Sequence, residues 1–384
     1  MNRDSRVRRS VNVILEIIRK EFYQIRRDKR MLGVSMVAPI LQVFLLGYAA
    51  TTDIKNTTMV VCDMDKTAVS RDFIGRFTNS NYFIYRYTAD TPDQIDGFIE
   101  SGRAAAALVI DREFGDNVLA HRPAKVQMIM DGTDAQTANV LLGYANQIVG
   151  QYSAERQTEL LTLMQPARPA SVVPEPRVWY NPDLKSSNYM VPGVVAFVLM
   201  IITMTLTSLG IVREKELGTL EQLMVTPIKP YQLILGKLIP FVIVGFVDVI
   251  AVLSVARFWF EVPMHGSLVL LFSLSLLFIL TTLGLGLFIS TIAKTQQQAM
   301  LIAQFFFFMP FIFLSGFTFP IANMPGIIRF FTYFIPLRYF LEIIRGVFLQ
   351  GSGLHELWMQ AVAMLVIGVA VLTLSVMRFQ KKLE

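Results

Sequence analysis

Six long apolar runs constrain the fold of this chain more than any other feature of its sequence. An α-helix needs about 20 apolar residues to cross a bilayer, and a soluble helix of that length would carry a polar face, which these runs mostly lack. The whole chain is 53% hydrophobic and only 17% charged. The runs cover residues 31–50, 189–212, 231–256, 267–289, 298–317 and 357–377. The sequence therefore predicts an α-helical polytopic membrane protein with six transmembrane helices.

The charges flanking these runs predict the orientation of the chain. Residues 1–30 hold ten Lys and Arg against four Asp and Glu, and the tail after the last run is also basic. Cytoplasmic flanks are enriched in Lys and Arg, so we expect both termini and the loop 213–230 inside, with segment 51–188 outside. Thirty residues precede the first run and no small-residue cleavage site follows it, so we expect a retained anchor rather than a signal peptide. The net charge of +6 comes largely from the N-terminal flank and does not indicate nucleic-acid binding.

The N-terminal segment, residues 1–30, predicts an amphipathic cytoplasmic helix. Apolar residues recur at helical spacing in VNVILEIIRKEFYQIRRDKR, and Arg and Lys fill most of the other positions. Such a helix can lie in the headgroup plane with its cations toward membrane lipid. The alternative is a simple basic flank, and the two are compatible.

Residues 51–188 predict an α/β extracytoplasmic domain inserted between transmembrane helices 1 and 2. Short apolar stretches near 58–64, 82–88, 104–110 and 125–131 alternate with helical stretches near 67–79, 91–101, 112–121 and 134–163. That alternation is typical of a sheet covered by helices. The single cysteine, Cys62, excludes an internal disulfide, and we expect it to be a small buried residue.

Residues 318–356 are rich in Phe and Ile but too charged to span a bilayer cleanly. Pro320, Pro325 and Pro336 divide the segment into short pieces, because proline interrupts helices. We expect short helices dipping into the outer leaflet.

Enzymatic motifs are weak in this chain, so no catalytic residue and no metal ligand is assigned. VVCDMDKT places Asp63, Asp65 and Thr67 after an apolar stretch, a pattern that resembles the nucleophile loop of haloacid-dehalogenase-type phosphatases. A strand that ends in a turn, with Asp capping the next helix, explains the same residues. The chain has no phosphate-binding loop of the G-x-x-x-x-G-K-[ST] type, and its three His do not fall at zinc-site spacing.

Two polar residues inside the apolar runs are candidates for a transport pathway or for helix packing. Asp248 and Gln304 each lie in the interior of a run, where polar groups are costly. A proton-coupled carrier that uses Asp248 is therefore an alternative function. A channel or sensor with 51–188 as its receptor is a further alternative, but no ring of charges supports a pore.

The loop REKELGTLEQLMVTPIKP separates the second and third runs. Read as a helix, REKELGTLEQLM places Leu217, Leu220 and Leu223 on one side and charges on the others, with Gly218 in the middle. Thr226-Pro227 ends that helix, because the residue before a proline avoids the α region. A rigid helix between two spans could receive a push from a partner, or it could be a plain connector.

Motifs along essentially the whole chain resemble the integral-membrane permease subunits of bacterial ABC exporters. They are RKEFYQIRRDKR, REKELGTLEQLMVTPIKP, STIAKTQQQA, LSGFTFPIANMP and IPLRYFLEIIRGVFLQG. Together with the order of one span, a large outside domain and five spans, they resemble the ABC type 2 permease family, in its multidrug-export-like subgroup with a large periplasmic domain.

The resemblance implies that segment 213–227 is a coupling helix that docks on a separate ATP-binding subunit. The positions that match this motif are Arg213, Glu214, Lys215, Glu216, Gly218, Thr219, Glu221, Thr226 and Pro227. It also implies a re-entrant outer segment over 318–356. The residues assigned to that segment are Pro320, Pro336, Arg338, Glu342 and Arg345.

The resemblance further implies a multi-pass protein of the bacterial inner membrane, with 51–188 in the periplasm. ATP and Mg would be bound by the partner subunit, and this chain would bind no cofactor. A second permease chain, identical or not, would complete the membrane part, and the subgroup often works with a periplasmic adaptor protein. The expected cargo is hydrophobic or amphipathic, a drug or a lipid-like compound, because the spans offer mostly apolar side chains.

Overall fold

The computed structural model describes residues 3–29, 33–50, 56–133, 135–163, 180–181, 185–219, 228 and 230–380. The chain divides into two compact units. One, the helical unit, comprises Met1–Thr51 and Asp183–Glu384, and the other, the sheet unit, comprises Thr52–Pro182.

The helical unit begins with two helices of different character. Helix α1, Arg3–Arg27, is amphipathic and basic in its last turn. It contacts the helix Pro230–Ser254. A π-helical turn, Gly33–Val37, leads into α2, Ala38–Ala50. The apolar part of this stretch, Ser35–Ala49, is shorter than a full span. The first of the six expected spans, 31–50, therefore stays a prediction.

The sheet unit contains a four-stranded mixed sheet covered by four helices. Its strands are β1 Thr57–Asp63, β2 Phe83–Thr88, β3 Ala106–Ile110 and β4 Val126–Met130. Its helices are α3 Ala68–Thr78, α4 Asp93–Glu100, α5 Phe114–Leu119 and α6 Ala135–Leu163. The strand order is β2-β1-β3-β4, with β1 parallel to β2 and β3, and β4 antiparallel to β3. Each strand and helix lies within a few residues of its predicted position, because period-two and helical patterns are local properties of the sequence.

Among the residues that the structure describes, five helices of the helical unit are long and apolar enough to cross a membrane: Ser186–Glu216, Tyr231–Trp259, Leu268–Ile292, Gln296–Leu314 and Leu354–Arg378. The helices of this half are α7 Ser186–Glu216, α8 Pro230–Ser254, α9 Leu268–Ile292, α10 Gln296–Ile302, α11 Met309–Leu314, α12 Gly326–Thr332, α13 Pro336–Arg345 and α14 Leu354–Gln380. A π-helical turn at Val255–Trp259 extends α8. A second one, at Ala303–Phe308, joins α10 to α11.

Helix α9 packs between α7 and α14 through small residues. A Cβ atom on Gly286 would lie only 2.6 Å from the carbonyl oxygen of Met204 in α7. The hydroxyls of Thr203 and Thr282 are 2.7 Å apart, and Ser375 of α14 donates to the carbonyl of Gly284 at 3.1 Å. Small residues and hydroxyl hydrogen bonds of this kind hold helices together where lipid removes the hydrophobic driving force.

Segment 318–356 forms short helices, as the sequence predicts. It contains a 3-10 turn, Ile321–Asn323, then α12, α13 and a π-helical turn, Gly346–Gln350. Pro325 immediately precedes α12, and Pro336 occupies the first turn of α13, where its missing N–H has no helical partner to lose. Entry of this segment into a leaflet stays a prediction.

Candidate functional site

The first four charges of the loop motif, Arg213–Glu216, lie at the end of a long helix and not in a separate one. Helix α7 continues without a break through Arg213–Glu216, and Leu217 is its C-cap. Gly218 follows with φ +71°, the left-handed conformation that commonly ends helices. The prediction of a single helix over REKELGTLEQLM is therefore wrong at Gly218. This glycine ends α7, whereas the prediction placed it in the middle of a helix. Glu221, Thr226 and Pro227 lie outside the described residues.

Glu214 is the most deeply buried charge among the motif residues that the structure describes. Only 2% of its surface is exposed. Its carboxylate forms ion pairs with Lys20 of α1 and with Lys237 of α8. Glu21 of α1 completes the group, with its carboxylate 3.2 Å from the Lys20 ammonium and 3.3 Å from the Lys237 ammonium. We call Lys20, Glu21, Glu214 and Lys237 the charge cluster.

The charge cluster is balanced, with two carboxylates and two ammonium groups. The side chains of Glu21, Glu214 and Lys237 are each at most 6% exposed, whereas Lys20 is 45% exposed. Removing one member of such a buried group leaves an uncompensated charge, which is strongly destabilising. Burial of the Lys20 ammonium by itself would lower its pKa. The hydrogen bond to Glu214 and the nearby Glu21 carboxylate outweigh that effect, so the pKa of Lys20 is raised.

The other residues of the α7 end contact further elements. Arg213 pairs with Asp28, just after α1. Lys215 donates to the carbonyl of Ala293 at 2.6 Å, beyond the end of α9. Glu216 accepts from the side-chain amide of Gln296 in α10 at 2.8 Å. We call Arg213–Glu216 with these partners the junction, because four consecutive residues connect α7 to α1, α8, α9 and α10.

Thr219 also binds back to this helix end, since its hydroxyl donates to the carbonyl of Glu214 at 3.2 Å. Leu217, directly before the break, is 65% exposed. The structure thus places Glu214 and Lys215 inside the helical unit, where their side chains connect helices rather than face outward.

Sequence reasoning missed the partners of the junction. Lys237 is the useful signal, because a lone lysine in an apolar run is costly and implies a carboxylate partner nearby. Lys20 and Glu21 lie in the amphipathic helix, where their charges fit a solvated face equally well. The pairing of Lys20 with Glu214, 194 residues away, and of Glu21 with Lys237, 216 residues away, is not visible in a local pattern.

The two intramembrane candidates differ in their surroundings. Asp248 is 1% exposed, and neither of its carboxylate oxygens has a hydrogen-bond partner among the residues that the structure describes. Gln304 lies in the π-helical turn and its side chain is exposed. Packing between helices therefore does not explain Gln304 within this chain, while the role of Asp248 stays open.

The polar residues of segment 318–356 tie it to the rest of the helical unit. Arg345 donates to the Tyr189 hydroxyl at 2.8 Å and lies 3.7 Å from the centre of that ring, at the start of α7. Glu342 accepts from Gln360 of α14 at 2.9 Å. Arg338 donates to the hydroxyl of Thr332. Pro320 precedes the 3-10 turn and Pro336 begins α13.

The phosphatase-like motif has a structural explanation in the sheet unit. Asp63 accepts from the backbone N–H groups of Asp65 at 3.1 Å and Lys66 at 3.0 Å, and from the Ser70 hydroxyl at 2.8 Å. Thr67 caps α3 by accepting from the Ser70 N–H. These contacts confirm that the strand ends in a turn, but the cap of the next helix is Thr67 and not an Asp as expected.

Comparison with known proteins places these features in a family. The profile of the family described as ABC-2 family transporter protein matches residues 29–377. The chain is 31% identical to the probable multidrug ABC transporter permease YbhR of Escherichia coli, over 95% of this chain and 98% of that protein. It is 34% identical to the probable multidrug ABC transporter permease YbhS of Escherichia coli, over 87% of each. It is also 24% identical to ABC transporter G family member 20 of Dictyostelium discoideum, over 93% of this chain and 50% of that protein.

Proposed function

The chain belongs to the ABC-2 transporter protein family, and from that membership we propose that it is the membrane permease subunit of an ATP-driven exporter. Its relatives named as multidrug ABC transporter permeases match it over nearly their whole length. The proposed cargo is a hydrophobic or amphipathic compound, drug-like or lipid-like, moved out of the cytoplasm or the inner leaflet. The proposed site is the bacterial inner membrane, with both termini cytoplasmic and 51–188 periplasmic.

The observation that carries this proposal is the junction. A force applied at the end of α7 acts at the same time on α1 through Lys20, on α8 through Lys237 and on α10 through Gln296. Buried ion pairs and short hydrogen bonds resist separation, so these helix ends move as one body rather than singly. A partner that pushes on segment 213–227 would thereby shift several spans together, which is what alternating access needs.

The proposed partners follow from the family. An ATP-binding ABC subunit would bind ATP and Mg and dock on segment 213–227, and a second permease chain would complete the membrane part. A periplasmic adaptor protein is a further proposed partner of 51–188. Our proposal makes this chain a transport subunit and places ATP hydrolysis in the partner. The proton-coupled carrier that uses Asp248 has no support in the family or the named relatives, and we do not propose it.

Co-purification and ATPase assay test the proposal. The tagged chain is purified in mild detergent from its own host, as wild type, as Glu221→Ala and as Glu214→Ala with Glu221→Ala. A matched control carries Glu100→Ala with Glu113→Ala, two exposed acids of the sheet unit. We expect an ATPase subunit to co-purify with wild type and control. In Glu221→Ala and in Glu214→Ala with Glu221→Ala, which we call the loop variants, we expect either loss of that subunit or ATP hydrolysis that no longer responds to cargo.

Glu221→Ala keeps the test valid if loss of Glu214 impairs folding, because it leaves the charge cluster intact. Elution as a single peak in size-exclusion chromatography checks that each variant is folded. Absence of any ATPase partner under several mild conditions, with the loop variants behaving as wild type, would contradict the exporter proposal. Efflux of cargo from cells that are depleted of ATP but keep their proton gradient would also contradict it.

A further inference from the structure

A cleft of about 380 Å³ opens on the helical side of the sheet unit, and we propose that it binds a small organic anion with an aromatic or alkyl body. The cleft lies between α3, α5 and α6, and the loop from His121 to Ala124 forms one wall. This inference concerns binding to the sheet unit and does not depend on the proposed transport function.

The floor of the cleft is aromatic and rigid. Phe73 packs against Tyr152 with ring centres 4.9 Å apart and against Phe114 with ring centres 5.2 Å apart. All three side chains are buried, at 1%, 6% and 4% exposure. Aromatic rings held in this way offer a flat apolar surface to a ring or chain of a ligand. The volume of the cleft falls in the range of about 300–1,000 Å³ typical of small-molecule sites.

The rim of the cleft is cationic. Arg122 is exposed on the wall loop, and Arg156 of α6 lies with its guanidinium 5.1 Å from the centre of the Tyr152 ring. No carboxylate in the part of the chain that the structure describes pairs with Arg122. Segment 51–188 as a whole has more Asp and Glu than Lys and Arg. The positive rim is therefore local to the cleft and complements an anion.

Tyr152 adds a polar group beneath this rim. Its hydroxyl is buried and has no hydrogen-bond partner among the described residues. A buried hydroxyl without a partner is unfavourable, so an acceptor on a ligand would relieve that cost. Arg156 lies against the Tyr152 ring and pairs at 3.3 Å with Asp72.

The test measures binding of naphthalene-2-sulfonate to the full-length chain in lipid nanodiscs by titration calorimetry, with empty nanodiscs subtracted. Naphthalene-2-sulfonamide, which has the same body without the charge, is the matched probe. Variants are Arg122→Gln, Tyr152→Phe and the control Arg86→Gln, an exposed arginine on β2 away from the cleft. We expect saturable binding of the sulfonate, weakened about fivefold to tenfold by Arg122→Gln and by Tyr152→Phe, and unchanged by Arg86→Gln. The sulfonamide should bind at least fivefold more weakly, and the difference should shrink at high salt.

Equal affinity for sulfonate and sulfonamide would overturn the proposal, because the cationic rim would then have no role. No saturable binding above empty nanodiscs would also overturn it. Unchanged affinity in both cleft variants, with unchanged thermal unfolding, would show that the sulfonate binds elsewhere and would equally overturn it.

Discussion

Glu214 shows how a residue that looks exposed in sequence can be a structural connector. It lies between charged neighbours in a polar loop motif, which by itself suggests a solvated face. In the structure its carboxylate is 2% exposed and paired with ammonium groups from two other helices. The buried carboxylate and the equally buried Lys237 need each other, because either one alone would be a charge in a low-dielectric site.

We expect Glu214→Gln to destabilise the chain by about 3 kcal/mol, at the lower end for breaking a buried pair because Glu21 still faces Lys237. Lys237→Gln should have a similar effect. The double variant should lose less than the sum, because neither charge is then left unpaired. Denaturant unfolding in mixed micelles measures all three free energies.

The exposed pair Arg76 and Glu155 of the sheet unit is the matched control. Its atoms are 2.8 Å apart, but both side chains are about half exposed. Neutralising either partner should cost less than about 1 kcal/mol. Additive effects in the Glu214 and Lys237 cycle would contradict the buried pairing.

At the scale of secondary-structure elements, the end of α7 is set by a single glycine. Helix α7 carries its motif charges on its last turn, and the left-handed conformation of Gly218 turns the chain away immediately afterwards. A residue with a Cβ atom is disfavoured there, because the left-handed region brings that atom close to the following carbonyl. The position of the break decides that Arg213–Glu216 face their partners in the helical unit.

We expect Gly218→Ala to cost about 1–2 kcal/mol, because alanine must adopt φ +71° or extend α7 by a turn. Gly218→Asn should be milder, because asparagine tolerates the left-handed region better than alanine. No atom of the described neighbouring residues lies within 4 Å of the site of a new Cβ, so we expect the effect to report on backbone conformation and not on a clash.

Thermal unfolding of both variants in detergent, beside Gly75→Ala as control, measures this effect. Gly75 lies inside α3 with open space around it, so alanine there should stabilise the sheet unit by about 1 kcal/mol. Equal stability of Gly218→Ala and wild type would show that the end of α7 does not depend on the glycine conformation.

At the scale of the whole molecule, the orientation in the membrane can be tested by asking on which side the sheet unit and the junction lie. Cys62 makes the question accessible. It is the only cysteine in the chain and is fully buried in β1. Burial raises the pKa of its thiol, and the carboxylates of Asp63 and Asp90 raise it further. At neutral pH the folded chain should therefore carry less thiolate than a free cysteine and should not react with maleimides.

Introduced cysteines can then report orientation against a silent background. Ala120→Cys, on the exposed end of α5, should react with a membrane-impermeant maleimide in intact spheroplasts. Leu217→Cys, 65% exposed at the junction, should react only after the membrane is permeabilised. Reaction of Leu217→Cys in intact spheroplasts would contradict the proposed orientation, and labelling of the native chain would contradict the burial of Cys62.

The sequence by itself determined most of the elements. Five of the six apolar runs, the strand–helix alternation of the sheet unit and the prolines that break segment 318–356 are local patterns with a counterpart in the structure. The first run, 31–50, corresponds to a shorter apolar helix. The motifs along the chain also pointed to the ABC-2 family, which the profile match over residues 29–377 confirms.

Only the tertiary structure decided which charges meet. The partners of Glu214 come from α1 and α8, and those of Lys215 and Glu216 from the end of α9 and from α10. Hydropathy and periodicity specify that a segment is helical, but they do not specify its rotation or its neighbours. Those depend on how small residues such as Gly286 let helices approach, which is a property of several distant segments at once. Gly218 is a different case, because the left-handed conformation that ends α7 is a local property that glycine commonly adopts at helix ends.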